Sequence, residues 1–191
     1  DDLRPKELLV LVVAPSEDRT EEVIRDWADM TSLEHAVVVM PGNRSLARNT
    51  GILLAHRYGV EAIALTNVCE PPPSWLENLT RHIGSEFVDV EGGPWVLDTR
   101  DRREDAMGLL TQWSLEQMDP EKISALNLVT KTEVFDWVMF DPRLETSEDT
   151  DFVKRLFKLL RFKIGYNDRA PVLWRPSTLT MSGATKTYYQ F

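Results

Sequence analysis

The residues with most chemistry to offer stand together at one point of the chain: Ser147, Glu148, Asp149, Thr150 and Asp151. A carboxylate held in place there could take a proton from a hydroxyl group, the work of a general base. Directly after them, Phe152, Leu156, Leu159 and Leu160 recur at helical spacing, with Lys154, Lys158 and Arg161 on another face. Ser147 is the expected N-cap, which places Glu148 and Asp149 in a first turn where the helix dipole favours anions. The plainer reading of this cluster is an acidic helix start and nothing more. Arg48 has two readings as well: a ligand for phosphate, or the salt-bridge partner of a nearby carboxylate.

Several strands and helices must position these groups. Glu7 to Ala14 and His35 to Met40 are runs of leucine and β-branched residues, the pattern of strands buried on both faces of a parallel sheet. A helix capped by Asp18 or Thr20 is expected through Met30, and a second over Ser45 to Tyr58. In the second, Leu46, Ile52, Leu53 and His56 lie near one side, and Gly59 closes it. Glu61 to Leu65 reads as a third strand, and Thr66 to Pro73 as a stiff connection. Ser74-x-x-Glu77 has the form of a capping box opening a helix through about Ile83. Further strands are expected at Phe87–Val90, Ala125–Val129 and Ala170–Leu173, with a short helix at Thr132–Val138. The stretch Trp95 to Glu121 is less regular, with a charged loop followed by a helix around Met107 to Met118. This alternation predicts an α/β fold with an open, mixed, mainly parallel sheet flanked by helices. Ligands of such sheets bind beyond the C-terminal strand ends, so loops 14–20 and 66–73 and the Asp149 turn should converge on one cleft.

Composition narrows the function classes. The 191 residues carry a net charge of −9, which opposes a general nucleic-acid binder. Hydrophobic residues make up 42% and charged residues 28%, an ordinary soluble balance, and no apolar run reaches membrane-spanning length. No signal-peptide pattern is apparent, and the chain starts at Asp1 without Met, as a fragment would. The lone Cys69 excludes an intrachain disulfide and leaves no zinc framework, and a cytoplasmic setting is expected. His35, His56 and His82 show no ligand spacing. No Gly-x-Gly-x-x-Gly follows the first strand, so a dinucleotide-dependent oxidoreductase is a poor fit. Residues 1–174 read as one domain and 175–191 as a tail, whose Tyr188, Tyr189 and Phe191 could dock a protein partner.

Motifs in order along the chain carry a resemblance. Phe140-Asp141-x-x-Leu144, Glu148-Asp149-Thr150-Asp151, Arg155 and Gly165-Tyr166 resemble the "FDE-x-L … EDTDL … R … G-Y" passage of family 2 glycosyltransferases. Ser16-x-Asp18-x-Thr20 resembles that family's "DGSTDGT" loop, and Ala47-Arg48-Asn49-x-Gly51 its "ARN-x-G" helix start. Pro73-x-Trp75-Leu76, Gly92-Gly93-Pro94, Asn127 and Phe135 fall where the family has "P-x-WL", "GGP" and "N-L … F". The resemblance implies a GT-A-like (Rossmann-like) fold and inverting transfer of a sugar from a nucleoside-diphosphate donor to a hydroxyl acceptor. It implies Asp149 as the base, with Glu148 as a like charge beside it. Ser16, Asp18, Arg48, Asn49, Thr66 and Asn67 would lie on the donor side, and Gly92, Gly93 and Trp174 on the acceptor side.

The departures from the family fall on the donor site. Its "Asp-x-Asp" metal motif aligns with Thr66-Asn67-Val68, which holds no carboxylate, and its later histidine aligns with Trp174. Two acidic positions before the first loop align with Val13 and Ala14. The family's first strand and helix have no counterpart in these residues. No metal ligands and no cofactor are therefore expected, whereas the family uses manganese or magnesium. A catalytically inactive relative, keeping the fold as a scaffold or binding module, is the competing reading.

Overall fold

The computed structural model describes residues 8–13, 19–66, 69–83, 87–98, 104–106, 109 and 123–174. The expected loop and helix within 98–121 lie largely outside the described residues, as does the tail from 175. The chain divides into two compact units, Asp1–Ile63 with Lys131–Leu160, and Ala64–Thr130 with Arg161–Phe191.

In the first unit, β1 (Leu8–Val13) pairs in parallel with β2 (Glu34–Val39), from Leu8 opposite Glu34 to Val13 opposite Val39. Both strands were expected to be fully buried. They instead form a two-stranded sheet whose described side chains are half-buried or exposed, because two strands with helices packed on them cannot enclose both faces. Helix α1 (Thr20–Met30) has Arg19 at its cap position with no side-chain cap bond, so Thr20 is its first residue rather than its cap. Asp18 lies outside the described residues.

Helix α2 (Arg44–Tyr58) is capped by Asn43, whose side chain accepts the Leu46 N–H at 3.0 Å. It ends at Gly59 with φ of 69°, a left-handed cap that a side chain would strain. Ser45, Ile52 and Ala55 are its buried residues, whereas Leu53 is 62% exposed. The expected grouping of Leu53 with Ile52 fails for a geometric reason: adjacent helical residues point about 100° apart.

A 3-10 turn at Thr132–Asp136 and helix α4 (Glu148–Leu159) complete this unit. Phe135, Phe140 and Phe152 form a buried aromatic stack, with centroids 5.7 Å and 4.5 Å apart on either side of Phe152. Phe152, Val153 and Leu156 are the buried apolar face of α4, while Leu160, 92% exposed, is a left-handed cap residue just past its end.

The second unit is mixed in strand direction. One sheet runs β3–β7–β5–β8, with β3 at Ala62–Thr66, β5 at Val90–Gly92, β7 at Asn127–Lys131 and β8 at Ile164–Tyr166. Strand β5 is antiparallel to β7 and parallel to β8. A second sheet, β4–β9–β6, joins Cys69–Glu70, Val172–Trp174 and Trp95–Leu97. The expected mixed, mainly parallel sheet flanked by helices is seen, divided among the described residues into three hydrogen-bonded sheets. Strands β4 and β8 arise where only connections were expected, since two- and three-residue strands leave no periodic signal. Helix α3 (Trp75–Thr80) starts after Ser74, which makes no side-chain cap bond, so the expected capping box does not form.

Asn127 is the polar hub of this unit. It is fully buried, accepts the Trp75 indole N–H at 2.8 Å, and donates to the carbonyls of Pro94 and Ala170 at 2.9 and 2.6 Å. Gly93 makes room for it. A Cβ at Gly93 would stand 2.6 Å from Asn127 Nδ2 and 2.7 Å from the Ala170 carbonyl oxygen. Gly93→Ala should therefore cost roughly 1–3 kcal/mol in urea-unfolding free energy, the usual scale of overpacking. A substitution within experimental error of zero would show that the hub can shift freely.

Candidate functional site

The segment Phe140–Glu148 is fastened along its length by the start of α2. Asn49 bonds the Phe140 backbone twice, donating to its carbonyl at 2.8 Å and accepting its N–H at 3.0 Å. Asn43 donates to the carbonyls of Pro142 and Leu144 at 2.8 and 3.2 Å, and Arg44 to that of Glu145 at 3.1 Å. Arg48 meets Glu148 at 2.7 Å, with side chains only 10% and 3% exposed, and its guanidinium lies 5.0 Å from the centroid of the Phe140 ring. Arg44 adds a second cation 3.4 Å from the same Glu148 oxygen.

Of the two readings of Arg48, the geometry shows the second, a salt bridge to a carboxylate. Glu148, expected beside Asp149 as an uncompensated like charge, is a buried and paired one. Asp149 is half-buried in the first turn of α4, and its Oδ1 accepts the Thr150 N–H at 2.9 Å. Ser147 occupies the cap position as expected, but with φ of 58° and no side-chain bond; its carbonyl accepts the Asp151 N–H at 3.0 Å. Arg155 pairs with Asp151 at 2.7 Å and donates to the Met139 carbonyl at 2.7 Å, tying α4 back to the segment that precedes it. The Arg143 side chain and N–H, both bonding Asp141, hold that carboxyl down at about 2.

The other expected site residues lie outside the described residues or in the second unit. Ser16, Asp18 and Asn67 lie outside the described residues, so the expected convergence of loops 14–20 and 66–73 with Asp149 does too. Thr66 is exposed at the end of β3. Gly92 and Gly93, expected on the acceptor side, are buried in the second unit, and the Gly93 N–H bonds the Asn127 carbonyl at 3.0 Å. Trp174 is half-buried, pairs with Cys69 across β4 and β9, and meets Trp95 edge-on at 5.0 Å.

The described residues at the end of β3 and in β4 offer few ligands to a hard divalent cation. Thr66, Cys69 and Glu70 include a single carboxylate, whereas magnesium or manganese takes several oxygen ligands. Among the described residues, no group of three or more His, Cys, Asp or Glu is placed to hold a metal ion. One constellation had no signal in the sequence. His82, Glu91 and Asn167 come together in the second unit, with His82 Nδ1 2.9 Å from Glu91 Oε1. Neither their spacing nor their neighbours in the chain suggested it.

No protein-family model matches the chain, and no curated protein matches it. Solved structures do. A mannosyltransferase from Pyrobaculum calidifontis, in complex with GDP-Man and Mn2+, is 16% identical with a TM-score of 0.60, over 87% of this chain and 47% of its own. Glucosyl-3-phosphoglycerate synthase from Mycobacterium tuberculosis, with Mn2+, UDP and phosphoglyceric acid, is 16% identical with a TM-score of 0.58, over 88% and 60%. A mycobacterial protein is 14% identical with a TM-score of 0.59, over 91% and 61%. The chain thus spans about half to three-fifths of the length of these neighbours. No helix among the described residues is long and apolar enough to cross a membrane. The chain has the α/β GT-A fold of the glycosyltransferases among these structures.

Proposed function

We propose that this protein transfers a sugar, with inversion, from a nucleoside-diphosphate donor to a hydroxyl acceptor, and does so without a divalent metal. The observation that carries this reading is the clamp on Phe140–Glu148. Four side chains at the start of α2 hold the segment that presents Asp149, which is how a proton acceptor is kept in a productive position. Asp149 takes the proton of the acceptor hydroxyl as its oxygen bonds to the anomeric carbon. The bond from that carbon to the diphosphate breaks on the opposite face. Glu148 and Arg48 position the base and do not themselves accept the proton. Arg48 is committed to Glu148 and buried, so the charge of the departing diphosphate falls to the more exposed Arg44, which shares that carboxylate at 3.4 Å.

One observation favours a second reading, a scaffold that keeps the fold without catalysis: the described residues at the end of β3 and in β4 offer few ligands to the cation that the fold neighbours' complexes contain. Thermal unfolding with uridine or guanosine diphosphate, each with and without manganese, separates the two. The expected result is a higher melting temperature with nucleotide and no further rise with manganese. A rise that needs manganese would restore an ordinary metal-dependent transferase. No response to any combination would leave the scaffold, for which residues 175–191 remain the proposed docking segment.

A further inference from the structure

The second unit holds a pocket of about 320 Å³ lined by the end of α3 and by Tyr166 to Arg169, where Gly92 pairs with Tyr166 and accepts the Asn167 N–H at 2.8 Å. Two of its lining residues, His82 and Asn167, bond a buried carboxylate. Glu91 is 2% exposed; one oxygen meets His82 Nδ1 at 2.9 Å, and the other faces the Asn167 amide at 3.4 Å. Asn167 is itself buried, donates to the Asn78 carbonyl at 2.9 Å, and takes the Arg169 N–H at 3.0 Å. Buried polar groups bonded in this way make a rigid base rather than a loose surface dip. The walls carry both signs of charge. Arg81, held by Asn78 at 3.1 Å, and Arg169 supply guanidinium donors, and Asp168 supplies a carboxylate. Tyr166 presents a ring that is 45% exposed. Burial, with the charge of Asp168 adding to it, pushes its hydroxyl above the usual range, so that it stays a donor.

That mixture selects a chemical class. An anion would gain from the two arginines but meet Asp168 at the wall. A cation would meet the reverse. A neutral ligand rich in hydroxyls suits both signs at once, because each hydroxyl donates one hydrogen bond and accepts others. The half-exposed Tyr166 ring offers an apolar face against which a sugar ring can lie, and the volume is at the lower end for small-ligand pockets. We propose that this pocket is a binding site for a neutral saccharide, recognised by Asn78, Arg81, Asp168 and Arg169 and packed on Tyr166. The site does not depend on transfer activity, and a catalytically inactive scaffold would keep it.

The test is a titration of the ¹⁵N-labelled full chain with cellobiose, with maltose and, separately, with inorganic phosphate, following the side-chain amides of Asn78 and Asn167. Saccharide binding in the millimolar range is expected to move both amides. Asp168→Ala and Arg169→Ala should each weaken it by about tenfold or more, the scale of a hydrogen bond to a charged group. Both residues are exposed, so unchanged melting temperatures should accompany the loss. Movement with phosphate alone would overturn the proposal in favour of an anion pocket. No movement with any ligand, or saccharide binding indifferent to both substitutions, would overturn it outright.

Discussion

Asp149→Asn is expected to lower the rate of sugar transfer by about a hundredfold or more while leaving the unfolding transition in place. The substitution keeps the size of the side chain and the oxygen that accepts the Thr150 N–H, so the first turn of α4 loses no packing. It removes the negative charge and with it the ability to accept a proton. The readout is transfer rate with saturating donor, alongside nucleotide affinity, which should not change because the base acts on the acceptor. Turnover equal to that of the unaltered protein would show that Asp149 is not the base. A parallel loss of nucleotide affinity and stability would mean that the residue is structural.

Arg48→Ala should produce the largest loss of stability, on the order of 3 kcal/mol in urea unfolding. Removing one partner of a buried ion pair leaves the other charge uncompensated, typically at a cost of about 3–5 kcal/mol. Arg44, 3.4 Å from the same oxygen but half-exposed, recovers part of this and places the expectation at the lower end. Replacing both members, as Arg48→Met with Glu148→Leu, should recover most of the loss, because the penalty lies in the orphaned charge and not in the missing attraction. A double variant as unstable as Arg48→Ala would show that the pair is worth its own energy. The single variant should also slow transfer, since Glu148 opens the helix turn that holds Asp149.

The two expectations differ in what the chain's text could supply. Asp149 in a first helical turn was legible from residues 147–160 alone, because an acidic start followed by apolar residues at helical spacing is a local pattern read over a few turns. The close of α2 at Gly59 was legible for the same reason, as one residue type suits a left-handed cap. The parallel pairing of β1 with β2 followed from two apolar strands separated by a helix. The GT-A fold rested on motifs kept in order over most of the chain, and their order survives even where single positions have changed.

What tertiary structure alone decided is the partner of each charge. Arg48 lies 100 residues from Glu148, and a guanidinium pairs equally well with any carboxylate brought near it. Packing of α2 against the 140–148 segment chose this one. His82 and Glu91 stand nine residues apart, and Asn167, 76 residues beyond Glu91, is brought to them at the end of β8. The capping box after Ser74 failed in the other direction: its spacing was right, but cap bonds depend on backbone angles that residue type does not set. Periodicity records which face of an element turns inward. It carries no record of which side chain will be waiting there, because that depends on the register in which distant elements meet.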